Sequence, residues 1–243
     1  MRRKKYKSLS LIIPFFNSGA GILQTYKKVT KCLKENFLSY RLIFVDDGSV
    51  DNSLDLLKKE TKWDKKVHLI TYRLNHGRGY AIKMGFTKAT GEMIGYIDSD
   101  LEISPKYIIS CFQNMETNDA VIVSKHIYQS HVDAPLKRRI ASWLFNFWIK
   151  LILGSKVNDH QAGLKIFRRK KVAGLLGKIK SDRWLFDVEL LYLMQKKGMK
   201  IVEVPIKISY GYEKIDKSFF VDFIKMFFWV LRMRLLDNTI LKK

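Results

Sequence analysis

The stretch GYIDSDLEIS, residues 95–104, ends an apolar run in three acids, Asp98, Asp100 and Glu102. Alternate side chains of an extended backbone share a face, so strand geometry continuing past Ile97 would gather all three carboxyl groups. Carboxylates packed together repel unless something positive sits among them. A divalent cation with oxygen ligands is one answer. A loop that turns the chain and caps a helix beginning near Ser104 is the other. This segment alone leaves both open.

A second acidic segment, FVDDGSVDNS (44–53), places Asp46 and Asp47 at a strand end, followed by Gly48 and Ser49. Such residues serve as helix caps, and strand-end acids also accept hydrogen bonds from a base edge or from ribose hydroxyls. The segment NHGRGYA (75–81) adds Gly77 and Arg78, where a backbone can approach a diphosphate or simply turn.

Positioning these groups requires an alternating frame. Apolar β-type runs occur at SLSLIIPFF, YRLIFV, VHLITYRL, EMIGYID and AVIVS, separated by helical patterns near 20–35, 53–62, 79–90 and 104–117. This alternation predicts an α/β fold with a mostly parallel central sheet flanked by helices on both faces. Ligands of such sheets bind beyond the carboxyl ends of the strands, where the loops NSG, DDGS, NHGRG and DSDLE all fall. The second half predicts a basic, aromatic helix over 135–153, a helix over 185–197, a strand in KIVEVPIKISY and a final helix over 217–236.

The 243 residues suffice for one substantial core, and 47% apolar with 28% charged residues describe a folded chain. Lys and Arg number 45 against 23 Asp and Glu, a net charge of +22 that concentrates polyanions. Nucleic acid, anionic lipid and phosphorylated substrates all fit that field, but no nucleic-acid module or stacking pattern is visible. Two cysteines, Cys32 and Cys111, support neither a disulfide framework nor a metal spacing and read as buried thiols of a reducing compartment. No stretch reaches the ~20 uninterrupted apolar residues that span a bilayer. The basic N-terminus before LSLIIPFF reads as preceding a strand, not as a signal peptide.

The ordered segments IIPFFN, FVDDGSVDNS, NHGRGYAIKMG, GYIDSDLEIS and DHQAGLKIF resemble glycosyltransferase family 2, and WLFDVELLYLMQKKGMKIVEVPI (184–206) is similar to its polyprenyl- and dolichyl-phosphate sugar synthases. The resemblance implies a GT-A fold with a Rossmann-like nucleotide-binding half. It also implies a UDP- or GDP-hexose donor and a polyprenyl or dolichyl phosphate acceptor at the cytosolic face of a membrane. Asp98 and Asp100 fall on the D-x-D motif for Mg²⁺ or Mn²⁺ and the donor diphosphate, with Glu102 where many relatives carry Gln. The donor would also meet Pro14, Phe16, Asn17, Asp46, Asp47, Gly77, Arg78 and Ser99. Phe16 and Ser18 replace a common Tyr and Glu, which bears on base recognition. Lys125 stands where relatives have Arg after a Ser. Together with Arg138 and Ser142, at helical i,i+4 spacing, it is nominated to hold the acceptor phosphate, Arg139 being an alternative. Asp159 and Gly163 map to the family's Asp-x-x-x-Gly, Asp159 orienting the acceptor or a cation, or capping a turn. His160 reads as a polar loop residue. The family's signature after VEVP is replaced by YGYEKIDKSFF, where Lys214 or Lys217 could serve the diphosphate.

The resemblance implies a metal-dependent, inverting hexose transfer, with glucose favoured over mannose because RWLFDVELL resembles glucosyl-type members. A sibling reaction on a sugar hydroxyl would need Asp159 as base. Residues 1–210 are expected to form the catalytic domain and 211–243 an amphipathic extension. The helices over 135–153 and 217–236 combine cations with aromatics suited to a membrane surface, or bury those aromatics in a core. The chain then reads as cytoplasmic and peripheral on the membrane, with room for an integral-membrane partner.

Overall fold

The computed structural model describes residues 8–37, 39–210 and 226–235. Three parallel strands open the chain: β1 (Leu9–Phe15), β2 (Tyr40–Asp46) and β3 (Val67–Thr71). Helices α1 (Gly21–Asn36), α2 (Ser53–Thr61) and α3 (Arg78–Thr87) follow them in turn, and α3 leads to β4 (Met93–Ile97). Then come α4 (Tyr107–Gln113), β5 (Ala120–Ser124), the short β6 (His131–Asp133) and the long α5 (Leu136–Leu153). The chain continues through β7 (Leu164–Arg168), α6 (Arg169–Leu176), α7 (Phe186–Lys196), β8 (Ile201–Pro205) and β9 (Lys207–Ser209).

Seven strands form one sheet in the order β3-β2-β1-β4-β7-β5-β8. Only β7 runs against its neighbours, β4 and β5, so the sheet is mostly parallel, as the alternation predicts. The burial follows from period-two geometry. Leu9, Leu11 and Ile13 of β1 face a core built with Ile22, Val29 and Leu33 of α1 and with Ile108 and Phe112 of α4. Ile12, between them in sequence, faces the opposite core, where Ala81 and Ile82 of α3 meet Phe186, Leu190 and Met194 of α7. Both faces are covered, so every residue of β1 and β4 is buried.

Several expectations shift. The segment LKIFR, which the alternation leaves unassigned, is a central strand, inserted between β4 and β5 in the reversed direction. The run KIVEVPIKISY is two strands. β8 stays in the main sheet, whereas β9 pairs with β6 in a separate two-stranded sheet. Pro205 supplies no amide donor at the break, and Ile206 N–H turns to Ser130 Oγ at 3.2 Å. The helix expected over 104–117 narrows to Tyr107–Gln113.

Part of the expected 217–236 helix lies outside the described residues; its described portion is helical over 226–235. There Val230 and Met233 are buried against Phe145 and Ile149 of α5 and Val188 and Tyr192 of α7. Phe228 and Leu235 remain exposed, so this segment serves a core on one side and presents apolar surface on the other. No helix among the described residues is long and apolar enough to cross a membrane.

Candidate active site

The four strand-end loops are tied into one unit. Asn17, in the left-handed region at φ 48°, donates its amide to Ser49 Oγ (3.0 Å) and accepts from Val50 N–H (2.9 Å). Gly19 N–H reaches Asp51 (2.8 Å), and Thr25 Oγ1 donates to the Ser99 carbonyl (2.5 Å). Pro14 is buried within β1 opposite Val45, while Phe16 and Asn17 are exposed at the loop surface. Ser99 sits beside Ser18, their hydroxyls 3.4 Å apart.

The acids of DDGS brace this edge from inside. Asp46 accepts from Ser49 N–H (3.0 Å) and Thr71 Oγ1 (2.9 Å). Asp47 accepts from Tyr72 OH and from the amides of His76 and Gly77, each at 2.9 Å. Burial and the neighbouring Asp47 push the Tyr72 hydroxyl well above its ordinary pKa, so it stays a donor. Both acids are buried, and all four of their oxygens are engaged within the protein. In this geometry the two acids brace the loops, and the expected contact of Asp46 or Asp47 with a base or ribose would exchange one of these bonds. Gly77 has φ 104°, and a Cβ there would fall 2.6 Å from Arg183 Cγ and 2.8 Å from the Asp182 carbonyl. Only glycine can present its amide to Asp47 in that space.

Below the loops lies a buried ionic network that sequence reasoning missed. Arg78, opening α3, donates from Nε to Asp98 (2.6 Å) and from Nη1 to Asp187 of α7 (2.5 Å). Lys165 of β7 reaches the same Asp187 at 2.7 Å, and Tyr96 OH donates to it as well. Two cations face two carboxylates, the balance a low-dielectric interior demands. Burial disfavours charge on Asp187, but Arg78 and Lys165 outweigh it and hold its carboxyl below the usual range. Burial dominates at Asp98 and raises its carboxyl despite Arg78. Gly163 makes room for Asp98: its carbonyl accepts Asp98 N–H (3.1 Å), and a Cβ would come within 2.8 Å of Asp98 Cγ. A lone Lys in GLKIF and a lone Asp amid LFDV, both inside apolar runs, were the signals available.

The three acids of DSDLE do not share a face. Strand β4 ends at Ile97, and Leu101 adopts φ 53° as its amide turns back to the Asp98 carbonyl (3.3 Å). That left-handed residue breaks the alternation. Asp100 is exposed and accepts Glu102 N–H (3.0 Å), while Glu102 pairs with Arg138 at 2.9 Å. Among the described residues no group of three or more His, Cys, Asp or Glu side chains is set to hold a metal ion. Glu102, expected among the metal ligands, pairs with Arg138 in this structure. Asp98 and Asp100 still suit a hard cation whose remaining oxygens come from a diphosphate. Arg78 Nη2, buried without a hydrogen-bond partner among the described residues, is a donor fitted to such an anion.

Beside this edge a cavity of about 360 Å³ is lined by Lys125, His126, Arg138, Arg139, Ser142 and Tyr210, among others. All three residues nominated for the acceptor phosphate meet there. Arg138 lies 3.7 Å over the Tyr210 ring, and His126 Nε2 is 2.8 Å from Ser142 Oγ. Burial lowers His126 below its ordinary pKa, which favours the neutral ring. Asp159 is wholly buried; it accepts Lys125 N–H (2.9 Å), and Lys125 Nζ is 3.9 Å away. Burial opposes its charge, but Lys125 prevails and keeps the carboxyl low. Glu203 of β8 fixes this loop by accepting the amides of Asn158 (2.9 Å) and Asp159 (3.0 Å). His160 lies in a loop, as expected, but is buried between Asn146 (2.9 Å) and Ser155 (2.8 Å), and burial lowers its pKa to about 3. Lys214 and Lys217 lie outside the described residues.

Known proteins share this fold. Among solved structures, glucosyl-3-phosphoglycerate synthase from Mycobacterium tuberculosis, in complex with Mn²⁺, UDP-glucose and phosphoglyceric acid, is similar with a TM-score of 0.68 at 15% identity. That alignment covers 94% of this chain and 79% of that one, and it shows the GT-A fold. The chain is 28% identical over 225 residues to a dolichyl-phosphate beta-glucosyltransferase of Dictyostelium discoideum, covering 86% of this chain and 68% of the relative. It is 26% identical to the glycosyltransferase AglD of Haloferax volcanii over 82% of its own length, and it spans only 32% of that relative. Residues 10–176 match the sequence pattern described as glycosyl transferase family 2, from β1 through the D-x-D loop to the end of α6, and the chain belongs to that family.

Proposed function

We propose that this glycosyltransferase moves a hexose, glucose by preference, from a nucleoside diphosphate sugar onto a polyprenyl or dolichyl phosphate at a membrane surface. The observation that carries the reading is the cavity in which Lys125, Arg138 and Ser142 converge beside the D-x-D loop. A phosphate monoester is already anionic at neutral pH, so cations to hold it matter more than a base to activate it. An acceptor phosphate oxygen attacks the sugar's anomeric carbon. The bond from that carbon to the donor diphosphate breaks, and the nucleoside diphosphate departs with the electron pair. Inversion follows from a single displacement. Asp98 and Asp100 would hold a divalent ion, Mg²⁺ or Mn²⁺, whose chemistry is Lewis-acid stabilisation of the departing diphosphate. Arg78 positions Asp98 and presents Nη2 toward the same charge.

Relatives named dolichyl-phosphate beta-glucosyltransferase support both the acceptor class and glucose. The alternative acceptor, a sugar hydroxyl, needs a carboxylate base, and Asp159 is wholly buried with a lowered pKa. That disfavours it.

The acceptor's tail stays in the bilayer, so the enzyme docks there. On α5, Leu136, Ile140, Trp143, Leu144, Phe147 and Leu151 form an exposed stripe at helical spacing, with Trp143 stacked on Phe147 at 5.3 Å. Exposed Lys137 and Arg139 adjoin it, and each cation near an anionic leaflet adds about 1 kcal/mol. Residues 1–210 carry the chemistry in this reading, 211–243 contribute to membrane contact, and the site faces the cytosol.

The test is transfer from radiolabelled UDP-glucose or GDP-mannose to polyprenyl phosphate in vesicles. Label in a solvent-extractable, mild-acid-labile lipid is expected. Label appearing only in a water-soluble or polymeric glycan would overturn the acceptor assignment.

A further inference from the structure

Arg138 is held from the donor side of the site while lining the acceptor side. Its guanidinium borders the cavity with Lys125 and Ser142 and lies over the Tyr210 ring, yet its Nη2 donates to Glu102, two residues beyond Asp100. The two side chains are 36% and 37% exposed. An ion pair so open to water is weak and readily exchanged. A phosphate monoester carries more charge than a carboxylate and offers a guanidinium more oxygens in a forked geometry.

We propose that Glu102 is an internal stand-in for the acceptor phosphate, occupying Arg138 until the acceptor displaces it. The inference rests on the reading of the cavity as the acceptor site. Displacement frees the Glu102 side chain to swing back toward Asp100, where a divalent cation brought with the donor attracts it. Donor and acceptor thereby favour each other's binding, because a coupling through one shared pair is reciprocal. The resident carboxylate also turns away weaker anions that cannot outcompete it.

The experiment is calorimetric titration of geranyl phosphate into the full chain, with and without Mn²⁺ and UDP or GDP. Wild type, Glu102→Gln, Arg138→Gln and the double variant are compared. Glu60→Gln, which removes a carboxylate paired with Lys27 at 3.3 Å on the surface, controls for net charge. Glu102→Gln is expected to bind the probe about two- to fivefold tighter in the absence of nucleotide, the range an exposed ion pair allows. Mn²⁺ with nucleotide should tighten binding to wild type but hardly to Glu102→Gln. In the Arg138→Gln background the Glu102 change should have no effect. Equal affinity of wild type and Glu102→Gln, with Arg138→Gln weaker than both, would overturn the stand-in role and leave the acceptor site intact. A gain matched by Glu60→Gln, or one that persists without Arg138, would overturn it as well. Failure of wild type to bind the probe under any condition would remove the acceptor-site reading, and this inference with it.

Discussion

Arg78 and Asp187, 109 positions apart in the chain, meet at 2.5 Å, and the same guanidinium holds Asp98 at 2.6 Å. The first acid of the D-x-D motif is therefore anchored to α7 through a buried cation, with Lys165 and Tyr96 completing the set. Positioning of the D-x-D loop depends on a helix remote from it in sequence.

Breaking that network should cost stability. Asp187→Asn leaves Arg78 and Lys165 without a shared counter-charge, and one uncompensated buried charge costs about 3–5 kcal/mol. Lys165→Met alone should be of similar size. The Asp187→Asn/Lys165→Met pair should cost clearly less than the sum, because it deletes one charge of each sign. Urea unfolding of the three variants measures this; additive losses would mean the groups act independently.

Asp100 separates chemistry from folding. Its side chain is exposed at the loop, so Asp100→Asn should leave the melting temperature within about one or two degrees of wild type. If it is one of two carboxylates that hold the cation, as proposed, its loss should lower turnover about a hundredfold or more. Undiminished transfer would show that the divalent ion is held elsewhere.

His160 makes stability depend on pH. Its folded pKa, about 3, lies below the ordinary imidazole value of about 6.5, so the unfolded chain takes up a proton that the folded chain refuses. The contribution is complete above about pH 6.5 and falls as pH drops from there toward 3, with a slope of about 1.4 kcal/mol per pH unit. His160→Gln should flatten that part of the profile while lowering stability at pH 7. Denaturant melts between pH 4 and 7 would reveal it, and an unchanged slope would assign the acid sensitivity to other groups.

The exposed stripe of α5 should carry membrane affinity. Phe147 is 49% and Leu151 63% exposed and neither lines the acceptor cavity, so replacing both with Glu has little core to disturb. Cosedimentation with anionic phospholipid vesicles should weaken about tenfold or more, from lost apolar insertion and added repulsion. Transfer to a soluble short-chain acceptor should persist. Vesicle binding equal to wild type would place the docking surface elsewhere.

Much of this was legible in the amino-acid sequence because its signals are local. Period-two apolar runs specify strands buried on both faces, and the strand-end motifs necessarily collect at one sheet edge when those strands run parallel. Asn17, Asp46, Asp47, Gly77, Asp98 and Ser99 are together for that reason. The i,i+4 spacing of Arg138 and Ser142 likewise puts both on one side of a helix. What the tertiary structure alone decided is which charge meets which. Leu101 turns Glu102 away from the D-x-D pair and toward Arg138, whereas extended geometry would have kept the three acids together. LKIFR enters the sheet centre in reverse and so carries Lys165 beneath Arg78's acid partner. Long side chains choose partners through packing between elements far apart in sequence, and backbone periodicity holds no record of that choice.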